Sequence, residues 1–290
     1  GVDALGQVYG LVGKGGNIII GGELDSRQAT ATAADAFVIV RNGARLDASG
    51  TQALLDIAGQ GPTVVATDGG RISLSSYNGL FIEGDLRATA GGVGAAGGRL
   101  DIALESPVYS RSDASNAVRV PREIVIGQGA GKTLLAADLQ AGEAAPSLQY
   151  GAARLSAEQL MSGGFDSLNV LSNGLLSFDG DVDLHMNQSL SLYAGALSLA
   201  EGSKDNARIN LSAPYLRLSG TGKYFDSPAD LRPRVMNAPT KDVAAAQFNA
   251  TADLLDIGNS LSFGTAGSIA QFTGPALQIA RRGFEQVSLD

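Results

Sequence analysis

The chain lacks cysteine and tryptophan, and in 290 residues it has one histidine (His185), nine prolines and only 6% aromatic residues. Without cysteine there is no disulfide, no thiolate nucleophile and no Cys-rich metal site. With one histidine a multi-His metal centre is out of reach, and a Ser-His-Asp arrangement would have to be built on His185. Positive charge is also short, with 21 Lys+Arg against 29 Asp+Glu and a formal net charge of −8. A binder of phosphate backbones needs a basic face, so the balance argues against nucleic acid as a partner. No run of about 18 apolar residues occurs, which argues against a transmembrane helix. Residues 1–30 lack a basic-then-apolar signal segment, so any export signal is expected outside this chain.

What is abundant is glycine, 39 residues in a chain that is 44% hydrophobic. Collagen would need glycine at every third position, and that period is missing. A flexible linker would lack the apolar content. What remains is a chain of tight corners joined by short apolar runs.

Those runs alternate. Ile72 and Leu74 alternate with Arg71, Ser73 and Ser75, and Leu100, Ile102 and Leu104 with Asp101 and Ala103. Further pairs follow at Leu168/Val170, Leu176/Phe178, Val182/Leu184, Leu190/Leu192, Leu197/Leu199, Ile209/Leu211 and Leu216/Leu218. Period two over three to five residues predicts half-buried strands. Asn42-Gly43, Asn78-Gly79 and Asn173-Gly174 stand between them as turn dipeptides.

Two architectures compete. Asn-Gly between alternating strands is a hairpin signal, hence an antiparallel sandwich or barrel. The alternative is a parallel β-helix, in which each short strand turns a corner into the next face of a coil. Spacing favours the second. Leu168, Leu190 and Ile209 stand 22 and 19 residues apart, which fits three short faces per coil. Degenerate repeats agree. Gly70-Arg71-Ile72-Ser73-Leu74 echoes Gly98-Arg99-Leu100-Asp101-Ile102, Leu54-Leu55-Asp56-Ile57 matches Leu254-Leu255-Asp256-Ile257, and Gly164–Leu168 matches Gly283–Val287.

The expectation is therefore one all-β unit over residues 1–290, with extra-helical insertions at 106–122, 141–163 and 223–248. The second holds a short helical stretch, Ala152–Met161, and the third is pinned by Pro228, Pro233 and Pro239. With about 60 residues in insertions, the rest makes roughly 11 coils, a rod of about 50 Å at ~4.8 Å per coil. The chain begins and ends within strand-like patterns with no obvious cap, so it is expected to be a segment of something longer.

The runs GFDSLNVLSNGLLSFDGDVDL (164–184), SLSLYAGALSL (189–199), ARINLSAPYLRLSG (207–220), GGRISLSSYNGLFIEGDLRATAGG (69–92) and GGRLDIALE (97–105) resemble repeats of filamentous-haemagglutinin-like large exoproteins. The resemblance covers most of the chain outside the loops at 106–122 and 223–248. It implies a right-handed parallel β-helix and an internal or C-terminal shaft segment of a Gram-negative two-partner secretion adhesin. It further implies a secreted or cell-surface location, an outer-membrane secretion transporter as partner of the parent protein, and a host-cell or biofilm receptor. It carries over no catalytic residue and no cofactor. The alternatives are the stalk of a contact-dependent growth inhibition effector and a carbohydrate-active β-helix enzyme.

Candidate residues are few. Asp179, Asp181 and Asp183 could gather a calcium ion, but a corner Asp-Gly with solvated aspartates explains them as well. His185 follows Leu184 in a strand, so alternation turns it outward with Asp181 and Asp183, the place of an ordinary surface histidine. Gly91–Gly98 lacks the ending of a phosphate loop and reads as a corner. The loop at 223–248 offers Tyr224, Phe225, Arg232 and Arg234 as a partner-contact patch, since loops on rigid scaffolds often carry binding.

Overall fold

Alternation decides where strands form and which way they face. In Val182–His185 the order Val-Asp-Leu-His buries Val182 and Leu184 and exposes Asp183 and His185. The same logic runs through most of the chain. The structure, a computed structural model, describes residues 1–104, 122–131, 135–140, 142–143, 148, 151–221, 240, 242–269 and 277–290.

The described residues form an all-β protein with long parallel sheets and one short helix. A first sheet holds seven strands in the order Asn17–Ile20, Arg71–Ser76, Gly98–Leu104, Phe165–Ser172, Ser189–Tyr193, Tyr215–Ser219, Leu254–Gly258. A second also holds seven: Phe37–Val40, Gly79–Ile82, Ala152–Ser156, Glu123–Gly127, Leu175–Asp179, Ala196–Leu199, Ser262–Phe263. A third holds Val182–His185, Arg208–Ser212, Val243–Thr251 and Gly283–Leu289. Arg45–Asp47 and Asp85–Arg87 form a separate parallel pair. The chain visits the three sheets in turn, through Phe165–Ser172, Leu175–Asp179 and Val182–His185, then again through Ser189–Tyr193, Ala196–Leu199 and Arg208–Ser212. Three antiparallel hairpins stand apart: Leu24–Asp25 with Thr30–Ala31, Gln52–Ile57 with Gly61–Ala66, and Thr265–Ile269 with Leu277–Arg281.

Register lines the apolar residues up. Ile72, Leu100, Leu168, Leu190 and Leu216 are consecutive partners in the first sheet, as are Leu74, Ile102, Val170, Leu192 and Leu218. All ten are essentially inaccessible to solvent, in one core cluster with Leu80, Phe178, Val182 and Ile209 from the other sheets. Each such side chain contributes roughly 1.5–3 kcal/mol on burial. Towards the C-terminal strands, Phe248 packs between Phe178, Phe263 and Phe284 at centroid distances of 5.8, 5.2 and 5.3 Å.

Several sequence expectations need correction. The helix expected over Ala152–Met161 covers only Ala157–Ser162, capped by Ser156, whose hydroxyl accepts from Gln159 N. Ala152–Ser156 is a strand because Ala153 and Leu155 alternate with the less buried Ala152 and Arg154, and strands pair with it on both sides. Segment 141–163 is thus not wholly an insertion. Its strand belongs to the second sheet, and its helix packs against Asp85–Arg87 and Val182–His185, with Ala157 and Leu160 in the core. Likewise Val243–Thr251 is a third-sheet strand, so the excursion expected at 223–248 does not extend past 242. Arg122, placed at the end of the 106–122 excursion, is buried and donates from Nε and Nη2 to Tyr77 O at 3.1 and 2.9 Å. The rest of that segment lies outside the described residues. Leu168 and Leu190 are register partners, but Ile209 pairs with Val182, and the next partner of Leu190 is Leu216. Finally, the longest sheets among the described residues have seven strands, so six steps of ~4.8 Å give about 29 Å there, against the roughly 50 Å expected for the rod. The hairpins take up chain that the estimate assigned to coils.

Candidate functional site

The outward side of the first sheet is set by the same registers. Arg71, Arg99, Ser167, Ser189 and Tyr215 form one outward column, and Ser73, Asp101, Asn169, Ser191, Arg217 and Asp256 a second. A third column, Ser75, Ala103, Leu171, Tyr193 and Ser219, is partly covered by the first hairpin. Leu24, Ala29 and Ala31 of that hairpin pack on Ala103, Leu171 and Tyr193, and Tyr193 Oη donates to Ser26 O at 3.1 Å. The hairpin departs at Gly21, where φ is +79° and an added Cβ would stand 2.0 Å from Ser75 O, so only glycine fits.

Beside the hairpin lies a groove of about 200 Å³ lined by Ser26, Arg27, Arg99, Ser167, Asn169, Ser189, Ser191, Tyr193, Tyr215 and Arg217. A recess of about 640 Å³ shares Ser26, Arg27 and Arg99 with it and extends to Arg71 and Glu23. The groove floor is small and polar, and its ends are cationic.

Asp101 anchors one end. It is fully buried and accepts from Arg71 Nε at 2.5 Å, Arg99 Nε at 2.7 Å and Asn169 Nδ2 at 2.8 Å. Burial works against the Arg71 charge, but the Asp101 and Glu23 carboxylates outweigh it and hold the guanidinium more firmly protonated than usual. Asp256 anchors the other end, accepting from Tyr215 Oη at 2.8 Å with Arg217 Nε 3.4 Å away. The Arg217 guanidinium lies 5.7 Å over the Tyr193 ring. Burial pushes the Tyr193 phenol up, and burial with the Asp256 hydrogen bond does the same to Tyr215, so both remain protonated donors at neutral pH. Among the described residues, the terminal nitrogens of Arg99 and Arg217 and the guanidinium of Arg27 have no hydrogen-bond partner, and Arg217 Nε is a buried atom without one.

A larger groove of about 810 Å³ lies on the second sheet, with Phe81, Glu83, Asp85, Arg154, Glu158 and Gln159 among its lining. Arg154 donates to Asp179 Oδ2 at 2.6 Å. On the third sheet, Asn210 Nδ2 donates to Asp183 Oδ1 at 2.6 Å and Asn249 Nδ2 to Asn210 Oδ1 at 2.9 Å, a ladder running across the strands. His185 is exposed and outward, its Nδ1 3.0 Å from Ser212 Oγ. Asp181 accepts from Lys204 and from Arg208 N, which holds its carboxyl below the usual range. Asp179, Asp181 and Asp183 therefore each have their own partners. Among the described residues no group of three or more His, Asp or Glu side chains is placed to hold a metal ion.

Tyr224, Phe225, Arg232 and Arg234 lie outside the described residues. The groove residues were not singled out by sequence reasoning. The available signal was the echo of Arg71 in Arg99, which are direct register partners. Among the described residues no helix is long and apolar enough to cross a membrane. Comparison with protein-family models, with curated proteins and with solved structures yields no match.

Proposed function

We propose that this chain is a right-handed parallel β-helix serving as a shaft segment of a secreted or surface-anchored bacterial adhesin. It holds binding regions away from the cell for attachment to host cells or biofilm matrix. The observation that carries this reading is the in-register stack of seven parallel strands, in which each apolar column is closed by the strands on either side. A stack of that kind gains stability from nearest neighbours and can fold progressively as it emerges from an outer-membrane transporter. The absence of cysteine suits passage as an unfolded thread, and a polar outer surface with net charge −8 opposes side-by-side sticking. The first-sheet groove supplies a place where such a shaft could contact a partner, giving weak contacts that multiply when repeated. Tyr224, Phe225, Arg232 and Arg234 remain a second contact proposal drawn from the sequence.

The test is antibody labelling of intact source cells and their culture medium, paired with an attachment assay in which the purified chain competes. Surface or medium labelling together with reduced attachment supports the reading. Confinement of the antigen to the cell interior would overturn it.

A further inference from the structure

We propose that the outward groove of the first sheet binds an acidic oligosaccharide, with carboxylates of the sugar chain paired to Arg99 and Arg217 and its hydroxyls on the serine floor. As a statement of biological role this rests on the attachment reading above. As a statement about binding it stands on the groove alone.

Charge comes first. The chain carries a net −8, yet Arg27, Arg99 and Arg217 line this one groove. The two carboxylates beside them are already engaged. Asp101 is fully buried under Arg71, Arg99 and Asn169, and Asp256 holds Tyr215 and Arg217. Asp101 thus orients Arg99 through a hydrogen bond from its Nε, Asp256 attracts Arg217 by charge with Nε 3.4 Å away, and the terminal nitrogens of both arginines stay open. That open edge is the planar fork that pairs with a carboxylate through two parallel hydrogen bonds.

The floor then chooses among carboxylate carriers. Ser167 and Ser189 offer hydroxyls that both donate and accept, which matches sugar hydroxyls that do the same. Half-buried Tyr215 adds flat ring surface, its phenol held on Asp256. The groove crosses the strands, so its chemistry repeats at about 4.8 Å. Arg99 and Arg217 sit on the first and last of four consecutive strands, three steps or roughly 14 Å across the sheet, with Arg217 two residues further along its strand than the register partner of Arg99. An extended chain with polar groups at regular intervals fits that layout. A peptide would look instead for an open strand edge or an apolar groove, and this is the polar face of a sheet's interior strands.

The experiment is calorimetric titration of the purified 290-residue chain at low salt with a galacturonic acid oligomer, its methyl ester, and a glutamate peptide of equal charge. The oligomer should bind, with the ester and the peptide each at least about tenfold weaker. Arg217→Gln and Arg99→Gln should each weaken binding about tenfold, and Arg27→Gln about threefold. Arg208→Gln, on the third sheet, should leave it unchanged. Should Arg99→Gln fail to fold, Arg217→Gln and the exposed Arg27→Gln carry the test, with circular dichroism verifying the strand content. Equal binding of the ester, preference for the peptide, or wild-type affinity in the arginine variants would overturn the proposal. Absence of any binding would also overturn it, while cell labelling would still decide the attachment reading separately.

Discussion

Asp101→Asn tests whether the outward face of the first sheet is organised by one buried charge. Asp101 is completely buried and accepts three side-chain hydrogen bonds, two from guanidinium groups and one from an amide. Hydrogen bonds to a charged group are worth about 1.5–3 kcal/mol each, and removing one partner of a buried ion pair costs roughly 3–5 kcal/mol. Asparagine keeps the shape and one acceptor oxygen, but its amide turns donors toward the donors of Arg71, Arg99 or Asn169. Arg71 and Arg99 are partly exposed, with side-chain accessibilities of 26% and 38%, so water recovers part of the loss. Two charge-assisted bonds lost at the lower value give about 3 kcal/mol. Urea unfolding of wild type and variant at neutral pH measures this as a shift in midpoint at constant slope. A difference under about 0.5 kcal/mol, the range of an ordinary surface change, would refute the argument that Asp101 is the anchor.

Three further outcomes follow from the packing. Phe248→Ala removes a fully buried ring in contact with Phe178, Phe263 and Phe284 and should cost about 3–5 kcal/mol in the same urea assay. Gly21→Ala places a Cβ against Ser75 O at φ +79° and should destabilise by about 1–3 kcal/mol, with faster hydrogen exchange in the first hairpin. Lys204→Met should raise the depressed Asp181 pKa toward its ordinary value of 3.8, followed by carboxyl NMR. Because that pKa is lowered in the folded protein, its stabilising contribution is present above the ordinary value and fades as pH falls through the folded one. Solvent screening keeps the contribution small at this exposed pair.

Much of the fold was legible because period-two alternation reports burial directly. Val182–His185 and Gly98–Leu104 needed no tertiary knowledge to be read as strands. The echo between Gly70–Leu74 and Gly98–Ile102 even identified true register partners. Local pattern alone did not say which sheet a strand joins. Leu54–Ile57 lies in an antiparallel hairpin while its near-copy Leu254–Ile257 ends the first sheet. Ala152–Ser156 reads as helix because alanine, arginine and leucine favour it, but pairing on both edges overrides that preference. The groove was less legible. Arg99, Ser189 and Arg217 are 118 residues apart at the extremes and meet only through register.

The most direct test of the account is a ladder of distances along one outward column. Spin labels on single cysteines are clean here because the chain has none of its own. With one label at Asn17, partners at Ser189, Tyr215 and Leu254 are four, five and six strands away in the first sheet. Pulsed electron resonance should then give distances rising in even steps, about 19, 24 and 29 Å between backbones at ~4.8 Å per strand. Distances out of that order, with Leu254 nearer to Asn17 than Ser189 is, would contradict the stacked arrangement on which the rest depends.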